Sequence, residues 1–373
     1  MEDELQVIEK FCENEIKTYI EKSEGNLQYP SDILKKLGKL GVFGINIPKE
    51  YGGSKLPISL NLQINKILSK YWLSIPALLG THLRANQYFV ELATDKQKEK
   101  YLPLMAAGEF IVAHAFHEKS IKNPLEFDTH IVEKNGEFFL TGTKEWVTNA
   151  SDCDSMIVVA RREVSGENSS TVCSAVLIQK DRAGVSLAKD HHRTGVMGVS
   201  LQRVNFDNVA IDKNDFIGGP EISVLSFISQ FRAISSLNFS SRCVGVAESI
   251  VDLIKPYLMV EKRDKLAQGV ICYKFSEVVM LKESITSYFE KSVSLNTSGN
   301  LTKAEAHRTK VYCSQTLQDL VQKARMLAGG TGFASDDEKL IRQLNDAVSL
   351  SLIDTPNDIL LTWSGMEDLN VTK

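Results

Sequence analysis

Apolar residues recur every three to four positions through the first third of the chain. Leu5, Ile8, Cys12 and Ile16 share one helical face, and Ile33, Leu34, Leu37 and Leu40 share another. Ser31 and Asp32, just after Pro30, offer caps for that second helix, and Gly52-Gly53 punctuates a loop. From about Phe110 the period shortens. Residues 111–116, 130–133, 138–141, 156–161 and 172–179 are β-branched or aromatic runs of strand length. Asn135-Gly136 between two of them predicts a two-residue type I′ hairpin. Residues 199–206 and 210–217 read as two further strands, and the block closes near Gly218-Gly219-Pro220. Helical spacing then returns. One helix runs through Val244, Ile250 and Ile254 to Pro256, which should kink it. A second carries Val270, Tyr273, Val278, Leu281 and Ile285. A third opens on the capping-box pair Thr302 and Glu305 and continues past Leu317, Leu320 and Val321.

This order predicts an α+β multidomain chain. An all-α N-terminal domain spans 1–109, a small central β-domain (barrel or sandwich) spans 110–220, and a C-terminal helical bundle spans 221–373. The length of 373 residues agrees, since it exceeds what one hydrophobic core usually organises.

Composition changes this picture little. The 43% hydrophobic and 24% charged residues are ordinary for a globular protein. With 43 basic against 47 acidic residues the net charge is −4, which gives no broad electrostatic case for a nucleic acid or an anionic membrane as partner. The opening MEDELQVIEK is acidic and helix-patterned, so no signal peptide is expected. No apolar run approaches the roughly 20 residues that cross a bilayer. The six cysteines are scattered without a CxxC pair and read as reduced, mostly buried thiols of a cytoplasmic protein.

Several chemistries fall away on spacing. His117-Glu118 lacks the second histidine of HExxH, since position 121 is Ile. His191-His192 sit side by side in a polar loop, where solvent exposure is the expectation and a metal is not. There is no GxSxG elbow. The glycines at 329, 330 and 332 follow a helical pattern rather than a strand, which is the wrong context for a dinucleotide loop.

Taken together, other segments carry a likeness. GVFGINIPKEYGG at 41–53, Gln97-Lys98 with Tyr101-Leu102-Pro103 and Gly108-Glu109, GTKEWVTN at 142–149, the stretch 181–200 followed by VNFDNV at 204–209, and LAGGTGF at 327–333 stand in one order and spacing. Over nearly the whole chain this resembles the acyl-CoA dehydrogenase family. The resemblance implies an N-terminal helical domain, a central β-domain and a C-terminal four-helix bundle, with FAD as cofactor and an acyl thioester as substrate. It implies that Trp146 lies against the flavin ring and that Thr148 places its hydroxyl near N5. Phe116 and His117 would also touch the cofactor. Arg263 and the Gly329-Gly330 turn would complete the FAD site of a neighbouring subunit in a homodimer or homotetramer. Asp354, in LIDTPNDI at 352–359, falls where the family carries its catalytic base, and removes the α proton while the flavin takes the β hydride. An aspartate is one methylene shorter than a glutamate, about 1.5 Å.

The chain departs from the family pattern at its substrate segment. HEKSIKNP at 117–124 stands where the family has Thr-Glu-Pro and a following Gly-Ser-Asp, so that only Glu118 is kept. Met326, Thr355 and Pro356 also replace family residues, and an aromatic-glycine pair is here Leu266-Ala267. An arginine of the first C-terminal helix is replaced by Ser236, with Arg232 one turn earlier, and the alternative catalytic glutamate of some relatives falls at Ser235. The first expectation is therefore a flavin oxidoreductase acting on an acyl or aminoacyl group held by CoA or a carrier protein. If Asp354 is not the base, Glu118 or His117 is next. A flavin monooxygenase on the same scaffold, or a non-catalytic member, stays open, and the electron acceptor is not identified.

Overall fold

The computed structural model describes residues 2–23, 25–120, 123–164, 170–259, 265–334 and 338–371. Six helices open the chain: α1 (Glu2–Phe11), α2 (Lys17–Lys22), α3 (Ser31–Lys39), α4 (Ile58–Tyr71), α5 (Ser74–Leu92) and α6 (Asp95–Ala107). The face predicted for the first of these is buried at Ile8, Cys12 and Ile16, but it is continued through a π-helical turn, Cys12–Ile16, between α1 and α2. Ser31 and Asp32 do not cap α3. Its N-cap is Pro30 and no side chain satisfies the first amides. α6 instead has a complete capping box, Thr94 with Gln97, and ends on Gly108 in the left-handed conformation.

Seven strands form one mixed sheet: β1 (Val112–Ala115), β2 (His130–Lys134), β3 (Glu137–Thr148), β4 (Ser155–Val164), β5 (Ser170–Gln179), β6 (Val185–Leu187) and β7 (Leu201–Ile211). β1 and β2 lie end to end along one side of β4, both parallel to it, and β5 pairs antiparallel on the other side. The Asn135-Gly136 turn is as expected, with φ of 54° and 83° and Lys134 opposite Glu137. The two strands expected over 199–206 and 210–217 are one continuous strand, β7, paired along β3. Within 210–217, beyond Ile211, Phe216 makes an isolated bridge to Val176. Between the two expected strands the chain runs on through a local irregularity, with Asn208 at φ 49°.

The bundle follows: α7 (Leu225–Leu258), α8 (Lys265–Thr297), α9 (Lys303–Ala328), α10 (Glu338–Leu352) and α11 (Asn357–Asp368). Pro256 lies in the last turn of α7, which ends at Leu258, so it acts as a terminator rather than a mid-helix kink. Thr302 and Glu305 form the predicted capping box. α7 packs directly on α4. A Cβ added at Gly245 would lie 2.1 Å from the Lys66 carbonyl, and Asn65 donates to the Asn238 carbonyl at 3.1 Å. This close approach sets the N-terminal helices against the bundle. Among the described residues no helix is long and apolar enough to cross a membrane.

Candidate active site

Asp354 lies in the turn between α10 and α11 with φ 68°. Aspartate and asparagine tolerate that left-handed conformation better than other residues with a side chain. Lys310, fully buried on α9, holds the turn from behind. Its ammonium donates to the carbonyls on either side of Asp354, to Ile353 at 3.1 Å and Thr355 at 2.6 Å. These bonds satisfy an ammonium that burial otherwise penalises.

Arg84 reaches the carboxylate from α5. Nη1 and Nη2 each stand 3.3 Å from Asp354 Oδ1. Nη2 also donates to Ser235 Oγ at 2.5 Å, and the Ser235 hydroxyl donates to Asp354 Oδ2 at 3.2 Å. The three side chains close a triangle drawn from α5, α7 and the α10–α11 turn. Burial by itself would raise the Asp354 pKa. Arg84, Lys310, His117 and the Ser235 hydroxyl together outweigh it, so the carboxyl sits well below the usual carboxylate range. Asp354 is ionised at neutral pH.

The triangle borders a cavity of about 50 Å³ that is also lined by Tyr88, His114, Phe116, His117, Phe231 and Arg232. Space of that size holds roughly four waters, or a small group of comparable bulk. His114 is pushed well down by burial and then by Arg84, and His117 is lowered by burial, so both rings are neutral at pH 7. His114 shares a 3.2 Å hydrogen bond with the Tyr88 hydroxyl.

Phe116, His117 and Asp354 thus line one cavity. Glu118 does not join them. Its carboxylate accepts from Lys144 and the Thr129 amide at 3.0 Å each and from the Asp128 amide at 2.8 Å. Burial would raise its pKa, but Lys144 and these amides bring it below the ordinary value. Glu118 is committed to holding the segment and is not placed to act as a base. Lys144 also donates to the Phe116 carbonyl at 3.0 Å, and the Glu145 amide donates to the His117 carbonyl at 2.8 Å. These bonds tie residues 116–118 to β3.

Trp146 follows on β3, inside a register shift against β7 and at φ 56°. The irregularity leaves its indole 55% exposed. His191, expected to be free in solvent, stacks on it at 4.2 Å between ring centroids. A large flat apolar surface displayed to solvent fits a planar ring system, and Thr148 lies two residues on. Of the residues expected to hold a flavin, Trp146 presents an exposed ring, while Phe116 and His117 line the cavity. The Gly329-Gly330 turn is elsewhere, at the far end of α9. Nineteen residues separate Lys310 from Gly329, about 28 Å of helix. Arg263 lies outside the described residues. Among the described residues no group of acidic, cysteine and histidine side chains is arranged to hold a metal.

Arg84, Ser235 and Lys310 were not read from the sequence as partners of Asp354. The available signal was a charge at a core position. Lys310 shares its helical face with the buried Cys313 and Leu317, and Arg84 precedes the buried Ala85 and Tyr88.

Family models described as the N-terminal, middle and C-terminal domains of acyl-CoA dehydrogenase match residues 2–109, 120–209 and 230–366 in turn. A 3-(aryl)acrylate reductase of Clostridium sporogenes is 24% identical over 94% of this chain and 93% of its own length. An acyl-CoA dehydrogenase of Bacillus subtilis is 24% identical over 95% of this chain and 93% of its own. Among solved structures, butyryl-CoA dehydrogenase from Megasphaera elsdenii superposes with a TM-score of 0.87 at 19% identity, covering 99% of this chain and 97% of that one. The prolyl acyl carrier protein oxidase AnaB superposes with a TM-score of 0.85 at 21% identity, covering 99% and 98%.

Proposed function

The chain belongs to the acyl-CoA dehydrogenase family, a family of flavin oxidoreductases, and from that premise we propose that it oxidises a short thioester-tethered acyl group, with Asp354 as the base. The observation that carries this reading is the ionised carboxylate of Asp354, fixed by Arg84, Ser235 and Lys310 at the wall of a small cavity. An ionised, positioned carboxylate can accept a proton.

Bound FAD supplies the acceptor for the hydride that leaves the β carbon. The chain's residues do the rest. Trp146 and Thr148 bind the flavin, and Phe116 and His117 form the wall between it and the acyl pocket. Asp354 accepts the α proton. Arg84 keeps Asp354 ionised before the reaction, and Lys310 keeps its turn from drifting. A double bond forms between the α and β carbons, one proton resides on Asp354, and two electrons leave with the hydride.

The altered segment at 117–124 and the fold shared with a prolyl acyl carrier protein oxidase support a carrier protein as the thiol bearer, with CoA as the alternative. The test is anaerobic mixing of the FAD-loaded protein with short acyl thioesters of carrier protein and of CoA. Bleaching of the flavin absorbance with formation of the enoyl thioester supports the reading. A colourless protein that takes up no FAD would remove it, as would oxygen consumption with a hydroxylated product.

A further inference from the structure

The cavity holds more positive charge than its one carboxylate balances. Arg84 and Arg232 both line it, and among the described residues Asp354 is its only acidic one. Arg84 is fully engaged by Asp354 and Ser235. Arg232 is not. It stands one turn before Ser235 on α7, so the two share a face, and its guanidinium lies 4.4 Å over the Trp363 ring. Among the described residues it has no hydrogen bond or ion pair. Arg232 is half-buried, and with only a ring face for contact its fork of N–H donors is left to solvent or to a ligand entering the cavity.

We propose that the acyl group oxidised here ends in a carboxylate, which docks on Arg232. The inference rests on the reading above, since the carboxylate is the far end of the same acyl chain. The planar fork matches a carboxylate through two parallel hydrogen bonds, and the Trp363 ring holds that fork flat. His114 and His117, both with lowered pKa values, add no positive charge of their own to this surplus. The same surplus opposes a protonated amine, so an aminoacyl substrate with a free ammonium is excluded by charge. The cavity's volume limits the spacer to a few carbons.

Pantetheine thioesters test this, because they carry the arm common to CoA and carrier proteins and no phosphate. Succinyl, 4-methylpentanoyl and 4-aminobutanoyl pantetheine present a carboxylate, its apolar isostere and an amine. Their binding to the FAD-loaded protein is measured by calorimetry and by perturbation of the flavin spectrum. The succinyl thioester should bind at least tenfold more tightly than the isostere, and the amine most weakly. Arg232→Met should abolish the preference and Arg232→Lys should keep part of it. Equal binding of isostere and succinyl thioester in the parent overturns the proposal, and that comparison needs no variant. A preference that survives in folded Arg232→Met overturns it too. Arg232-dependent succinyl binding with no flavin bleaching by any of the three would refute the oxidation reading and leave the docking site standing. Bleaching by the isostere, with no preference for the carboxylate, would do the opposite.

Discussion

Arg84 on α5 and Asp354 in the α10–α11 turn are 270 residues apart and meet at 3.3 Å, with Ser235 bonded to both. The pairing gives the carboxylate a fixed charge and a fixed place. Its consequences can be measured.

Replacing Arg84 with Gln removes the largest influence holding the Asp354 pKa down. A depressed carboxylate contributes stability above its unfolded pKa of about 3.9 and loses it as pH falls through the folded value. The parent should therefore keep this contribution at neutral pH and lose it only in strong acid. In Arg84→Gln the Asp354 pKa should rise by about 1–3 units. The acidic limb of flavin reduction should move upward with it, read by stopped-flow across pH. An unmoved limb would show that Arg84 does not set the charge of Asp354.

Asp354→Asn keeps a residue suited to the left-handed turn and removes the basic oxygen. Flavin reduction by a thioester substrate should slow by roughly a hundredfold or more while FAD binding persists. Reduction at the parental rate would move the role of base to His117.

Lys310→Met leaves the carbonyls of Ile353 and Thr355 without their buried donor. Each buried acceptor left unmet costs about 1–3 kcal/mol, so the melting temperature should drop. The freed turn should also slow reduction by roughly 10–100-fold, with FAD affinity unchanged. Unaltered melting and kinetics together would contradict the role given to Lys310.

Trp146→Ala removes a ring that is 55% exposed, so thermal stability without cofactor should hardly change. FAD affinity should fall roughly five- to tenfold, as loss of a stacking partner worth about 1–1.5 kcal/mol implies. Equal FAD affinity in variant and parent would mean that the flavin lies elsewhere.

α8 displays Val270, Tyr273 and Met280 to solvent at 47%, 69% and 70% exposure, along one stripe. The chain should be at least a dimer by light scattering at micromolar concentration, and Tyr273→Asp with Met280→Asp should shift it toward monomer. A parent that is already monomeric would count against a neighbouring subunit's share in the FAD site.

What the chain's own pattern determined is local. The 3.6-residue and two-residue periods, the Asn135-Gly136 turn and the Thr302–Glu305 cap depend on neighbours in sequence, and each stands in the structure. The family motifs also brought out Phe116, His117 and Asp354, which do share a cavity. Errors arose where a short-range signal had two readings. Residues 199–206 and 210–217 looked like two strands but belong to one held along β3, which ends at Ile211. Ser31 and Asp32 looked like caps, but the chain enters α3 at Pro30. Only the tertiary structure could join Arg84, Ser235 and Lys310 to Asp354, because a half-buried ion pair of this kind is specified by which helix faces pack together. Nothing in the spacing of residue 84 and residue 354 encodes their meeting. The left-handed backbone of Asp354 and the uncompensated charge of Arg232 are likewise properties of the assembled site.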